Sequence, residues 1–420
     1  MKGQSRPNDL VGYYLCSGYN NSLLPISSRA KAAGSLTGCD RISQMSQTLA
    51  TRLDSPRPDA IHGLTSLRFF AALYVVLFHS LTPMVAAVEQ NRSFVKAISL
   101  GYASVSFFFF LSGYILSVAY PGSGRNLQNK KLFYSARFAR IYPLYLLTLV
   151  LDTPDWFVAH ARSFGGYVSA ILPTSAMFGE HLLMLQAWMP WQRGIDRPNW
   201  SLSVEVFLYL LFPFAAIRIW NLSSRAIVVL APALWIGGQL MLLLASGHLS
   251  IDALMFLPVS HLSTFLLGIA LARWQSLNEQ RIQSWSHWVV VSLLVTAGAT
   301  TGVLLLWPDL FPRQYLNDGL LAPVFAQVIL AVSINGRWPA ILLGNRYLRE
   351  LGDASYALYL FHLPIFHIVE RLHLPRTWYV YAIYLFSCIG ISVLSFRYFE
   401  APWRFRIVKW LTRTSSPGHA

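Results

Sequence analysis

Residues 63–83 read GLTSLRFFAALYVVLFHSLTP. Only Arg68 and His79 in this stretch are ionisable; almost everything else is apolar or small. A helix of this length rises about 30 Å, which matches the hydrocarbon thickness of a bilayer. The run is one of many. Comparable apolar stretches lie near 64–88, 97–120, 138–154, 200–217, 227–246, 254–272, 288–307, 315–334, 353–370 and 377–396. The whole chain of 420 residues is 55% hydrophobic and 12% charged, against about 25% charged residues in a soluble domain. The expected fold is all-α: a polytopic membrane helix bundle with about ten transmembrane helices. An eleventh stretch, 167–189, is less apolar and carries Glu180 and His181. It is expected to be re-entrant or interfacial.

The formal net charge of +15 is distributed between the apolar runs rather than over one face, so it marks topology and not nucleic-acid binding. With ten spans and the N-terminus inside, inner loops and C-tail hold 17 Lys and Arg, and outer loops hold 8. Both termini are therefore expected on the cytoplasmic side. Three dispersed cysteines, Cys16, Cys39 and Cys388, exclude a disulfide framework and a Cys-rich zinc site. Residues 1–60 read as a weakly ordered cytoplasmic tail, 61–406 as the membrane domain and 407–420 as a basic C-terminal tail. The polar start shows no signal-peptide pattern, and Met45 is an alternative translation start. No inverted repeat of the transporter kind is visible.

Ionisable side chains inside membrane helices are costly, about 2.5–3.5 kcal/mol each on insertion scales. Arg68 and His79 are eleven residues apart, so they share a helix face with about 16 Å between them along the axis. Singly, the first reads as a snorkelling anchor and the second as a helix–helix hydrogen bond. Ser112 and Gly113 supply a small, close-packing patch in SVSFFFFLSGYIL. Arg137 and Arg140, three apart, fall on adjacent positions of one helix face. They read either as a positive-inside anchor or as a bidentate phosphate clamp. In NWSLSVEVFLYLLFP, Asn199 or Ser201 is placed to cap a helix, and Glu205 follows near the expected depth of His79. In LGDASYALYLFHLPIFHIVE, Asp353 reads as an N-cap, Tyr356, Tyr359 and His362 lie along one face, and His362 also falls near mid-depth.

The pieces LRFFAALYVVLFH, SVSFFFFLSGYIL, RFARIYP, LLMLQAW, NWSLSVEVFLYLLFP, FLLGIALA, SYALYLFHLPI and RYFEAPWR occur in this order between about residues 63 and 406. Together they resemble the acyltransferase-3 family of membrane O-acyltransferases. These are largely bacterial enzymes that act on surface polysaccharide, lipopolysaccharide, peptidoglycan, Nod factors and macrolides. Glu400-Ala401-Pro402 departs from the Glu-Lys-Pro-like close of many members, and the sequence reads as a member without an esterase-like domain. The resemblance implies an acyl-CoA co-substrate, commonly acetyl-CoA, taken from the cytoplasm. It makes His79 essential and Arg68 its companion. It assigns Arg137 and Arg140 to the CoA part of the donor, and Glu205 to the glutamate of the tryptophan–serine–leucine motif.

The expectation is thus an inner-membrane enzyme, with no bound cofactor or metal, that moves an acyl group to a hydroxyl of a glycan or small-molecule acceptor. His79 would act as general base, with Glu205 or His362 orienting it. The donor would lie on Arg68, Arg137 and Arg140 and pass Ser112, while Asn199 and Trp200 would face the acceptor. An acyl-enzyme on Ser112 or His79 stays open. The competing class is a transporter or flippase of an acylated or lipid-linked glycan.

Overall fold

The computed structural model describes residues 59–85, 92–120, 130–189, 194–195, 197–307, 310–334 and 336–413. The expected N-terminal tail, except for its last two residues, lies outside them, as do Met45 and residues 414–420 of the expected C-terminal tail. Among the described residues there are helices and no strands. The helices used below are α1 (Asp59–Val85), α2 (Ala103–Ala119), α3 (Lys130–His160), α4 (Tyr167–Leu182), α5 (Trp200–Trp220), α6 (Ser224–Ala245), α7 (Leu262–Leu277), α8 (His287–Leu306), α9 (Ala322–Ser333), α10 (Ser355–Arg371), α11 (Trp378–Ser395) and α12 (Ala401–Arg413).

Among the described residues, seven helical stretches are long and apolar enough to cross a membrane: His62–Leu81, Ala97–Ala119, Trp200–Trp220, Ser224–Ala245, His287–Leu306, Arg313–Ser333 and Trp378–Leu411. Each coincides with an expected span. The other three expected spans are helical too. Helix α3 runs for 31 residues and opens on Lys130 and Lys131. Helices α7 and α10 have 16 and 17 residues, short of the roughly 20 that a full crossing needs. Segment 167–189 is not one continuous helix. Helix α4 ends at Leu182, Met184 turns in the left-handed region at φ 55°, and the chain comes back to bury Gln186 and Ala187.

Two sequence-level caps are replaced by other arrangements. Asp353 ends the short helix Arg346–Asp353, and Ala354, which has no capping side chain, starts α10. Asn199 precedes α5 in helical backbone conformation without a side-chain cap. In both places a short helix leads directly into the long one, so the first amides are met by backbone carbonyls rather than by a side chain.

The centre of the bundle is set by how closely helices approach. Helices α2 and α7 cross at a reciprocal glycine contact. A Cβ on Gly268 would stand 2.0 Å from the Phe110 carbonyl oxygen, and one on Gly113 would stand 2.3 Å from that of Phe265. Small residues permit this approach between membrane helices. Helix α1 packs against α10, α2 and the short helices Trp338–Leu343 and Arg346–Asp353, so its polar side chains meet protein. Helices α6 and α8 lie at the periphery and expose broad apolar faces, including Val229, Leu244, Trp288 and Val295.

Replacing Gly268 or Gly113 with Val should separate α2 from α7 and cost about 1–3 kcal/mol, the usual range for overpacking. The detergent-solubilised variants should melt several degrees below the unmodified protein; unchanged melting would show that the crossing tolerates a side chain.

Candidate active site

Helices α1 and α10 bring the two mid-span histidines together. His79 Nδ1 lies 3.1 Å from His362 Nε2, with ring centroids 5.2 Å apart. His362 is 1% exposed, and its Nδ1 lies 2.5 Å from the Tyr359 carbonyl oxygen. That carbonyl can only accept, so Nδ1 of His362 carries the hydrogen. A second charge in so buried a pair is disfavoured, and with one proton per ring the order is fixed. His362 Nε2 accepts from His79 Nδ1–H, and the lone pair of His79 resides on Nε2. The Tyr384 hydroxyl holds the same turn by donating to the His362 carbonyl at 3.0 Å.

One turn earlier on α10, the Tyr359 hydroxyl donates to the Pro198 carbonyl at 2.8 Å and lies 2.7 Å from Ser201 Oγ. This ties the histidine-bearing turn to the start of α5. Asn199 beside it is 1% exposed. Its carbonyl accepts from Gln186 at 2.8 Å, yet neither side-chain amide atom of Asn199 has a hydrogen-bond partner among the described residues. The Gln186 Oε1 atom is in the same condition. Buried amides normally find partners, so these atoms offer the Asn199 Nδ2 donors and two acceptor oxygens to a polar ligand or water. Trp200 packs edge-on or tilted in an aromatic group with Phe109, Phe256 and His261, at 6.2, 5.0 and 5.2 Å between centroids.

A second polar cluster gathers near the N-terminal ends of α1 and α10. Arg68 lies within electrostatic reach of Arg140, Glu205, Tyr209 and Asp353. Arg140 pairs with Glu400 at 3.5 Å, with side chains 12% and 3% exposed. The Arg137 guanidinium lies 5.7 Å from the Tyr209 ring centroid and 6.0 Å from that of Phe133. Ser112 comes within hydrogen-bonding reach of Tyr209. Arg137 Nε and Arg140 Nη2 have no hydrogen-bond partner among the described residues, which leaves guanidinium donors available to an anion.

The sequence placed Glu205 near the depth of His79, as one of two groups to orient the imidazole. In the structure Glu205 accepts a short hydrogen bond from Tyr209 and sits in the field of Arg68 and Arg140. Glu205 and Tyr209 are four residues apart and share one face of α5, which carries the carboxylate toward the arginines. The partner that meets the His79 ring from another helix is His362.

Glu400, the counter-ion of Arg140, has no role in the reading of the sequence. Its signal was a lone carboxylate in the basic stretch FRYFEAPWR. A π-helical turn, Phe396–Glu400, aims it inward; such bulges gather at functional sites. His261 was also missed. It is fully buried with Asp318, Nδ1 to Oδ1 at 3.0 Å, and its Nε2 lies 3.1 Å from the Met255 carbonyl. Both ring nitrogens are engaged, which fits a structural pair and not a base.

The bundle thus holds two polar clusters, one of arginines and carboxylates with unmet guanidinium donors and one of paired imidazoles. A family model described as an acyltransferase domain matches residues 61–397. The chain belongs to the acyltransferase-3 family. It is similar to the acyltransferase MdmB of Streptomyces mycarofaciens, 29% identical over 338 residues, covering 76% of this chain and 82% of that protein. It is also similar to the O-acetyltransferase OatA of Staphylococcus aureus, 25% identical over 378 residues, covering 83% of this chain and 58% of that protein. The match therefore spans little more than half of OatA. No solved structure matches the chain. Family membership makes this membrane protein an acyltransferase.

The buried Arg140–Glu400 pair yields a stability prediction. Removing one partner strands a buried charge, at a cost of about 3–5 kcal/mol. Arg140→Met should lower the melting temperature more than the double variant Arg140→Met/Glu400→Gln, and a double-mutant cycle should show coupling above about 1 kcal/mol. Additive effects would mean that the two groups do not interact.

Proposed function

We propose that this acyltransferase is an O-acetyltransferase that takes its acyl group from acyl-CoA on the cytoplasmic side. It delivers the group to a hydroxyl of an exported glycan or related acceptor on the other side. The observation that carries this reading is the His79–His362 contact, Nδ1 to Nε2 at 3.1 Å, which orients the His79 imidazole inside the bundle. The names of the relatives, OatA among them, support acetyl transfer to oxygen.

In this reading the arginine cluster binds the donor. CoA is polyanionic and stays out of hydrocarbon, so its phosphates rest on Arg137, Arg140 and Arg68; the unmet hydrogens on Arg137 Nε and Arg140 Nη2 suit phosphate oxygens. The thioester arm passes Ser112 toward the histidine pair. The acceptor enters from the Asn199 and Trp200 side, where the buried amides of Asn199 and Gln186 match the donors and acceptors of a polyol.

His79 Nε2 takes the proton of the acceptor hydroxyl as its oxygen attacks the thioester carbonyl. The tetrahedral intermediate collapses with cleavage of the C–S bond, and the proton passes from His79 to the departing sulfur, giving the ester and free CoA thiol. His362 is a positioning residue. It accepts from His79 Nδ1–H, fixes the tautomer and disperses the charge that forms on the imidazolium. General-base assistance of this kind contributes about 10²–10⁴-fold. Topology follows the basic loops: both termini inside, in a bacterial inner membrane.

His79→Gln should reduce transfer by at least about 10²-fold while the protein still elutes as a folded species in detergent; near-normal turnover removes the base assignment. Arg137→Gln and Arg140→Gln should chiefly raise the KM for acyl-CoA. Purified protein should consume acetyl-CoA thioester when acceptor is present. A chain that moves glycan without consuming thioester would be a carrier.

A further inference from the structure

Asp152 and Asp155 stand three residues apart near the C-terminal end of α3. His367 and Arg371 stand four apart near the C-terminal end of α10, and the two helices pack together. The His367 Nδ1 atom lies 3.0 Å from Asp152 Oδ1 and 3.5 Å from Asp155 Oδ2. One ligand atom from each of the three residues lies within 4.8 Å of the others. Metal bonds of about 2.0–2.2 Å place neighbouring donor atoms about 3.0 Å apart in an octahedral shell and about 3.4 Å apart in a tetrahedral one. The imidazole–carboxylate separations already have those lengths.

A second observation separates this cluster from an ordinary surface ion-pair group. Asp152 is 2% exposed, and its Oδ2 is buried with no hydrogen-bond partner among the described residues. A carboxylate taken out of water with an oxygen unmet is costly, and the Nδ1–H of His367 serves one carboxylate oxygen at a time. Asp155 and His367 are 22% and 31% exposed, so the group has a buried floor and an open side through which a hydrated ion can enter. Arg371, 56% exposed, pairs with Asp155 and can swing outward when a cation takes its place.

We propose that Asp152, Asp155 and His367 form a binding site for a divalent metal ion. Two carboxylates and an imidazole, without thiolate, select zinc or manganese among the common ions. On binding, His367 ligates through unprotonated Nδ1 and carries its hydrogen on Nε2; any Nδ1 proton leaves to solvent. The ion pins the ends of α3 and α10 together and keeps its open positions for water or an oxygen ligand.

The test uses the full-length chain in detergent without a polyhistidine tag, stripped with a chelator and titrated separately with Zn²⁺ and Mn²⁺. One ion should bind per chain. Asp152→Asn and His367→Gln should weaken binding at least tenfold, and Arg371→Gln, which frees Asp155, should tighten it. Zn²⁺ should raise the melting temperature of the unmodified chain and leave that of His367→Gln unchanged. Absence of saturable binding, or binding unaffected by Asp152→Asn and His367→Gln, overturns the site. Should those two variants not fold, an Arg371→Gln affinity equal to or weaker than that of the unmodified chain overturns it instead.

Discussion

The contact of His79 with His362 is the constraint around which the polar interior is organised. A ring nitrogen inside a bundle of apolar helices needs a hydrogen-bond partner, because lipid cannot supply one there. His362 meets that need and is itself held by the Tyr359 carbonyl at 2.5 Å. Tyr359 is anchored in turn to Pro198 and Ser201. One line of hydrogen bonds thus runs from α1 through α10 to the start of α5 and fixes which nitrogen of His79 holds its lone pair.

The second polar layer obeys the same rule with charges. Arg68, Arg140, Glu205, Asp353 and Glu400 share one electrostatic neighbourhood, which keeps each from standing alone in low dielectric. Arg68 and His79 lie about 16 Å apart along α1.

Much of this arrangement was legible beforehand. The apolar runs gave the all-α membrane bundle, and each of the seven long apolar helices falls on one of them. His79, His362, Arg68, Arg137 and Arg140 stood out because ionisable residues in such runs are rare and expensive. Depth along a helix was readable from counting residues. Azimuth between helices was not: the contacts of Glu205 with Tyr209 and with the field of the arginines do not follow from counting residues. Caps were misread at Asp353 and Asn199 because a short helix runs directly into the long one at each place.

The sequence by itself determined that this chain fills a bilayer with helices and which few side chains carry polarity into it, since both follow from local composition and a fixed rise per residue. Only the tertiary structure decided who pairs with whom: His79 with His362, Arg140 with Glu400, Asp152 with His367. Those partners lie 283, 260 and 215 residues apart in sequence. They meet because helices pack at particular rotations about their axes. That rotation is set by side chains on every neighbouring helix at once, and no single stretch of sequence contains it.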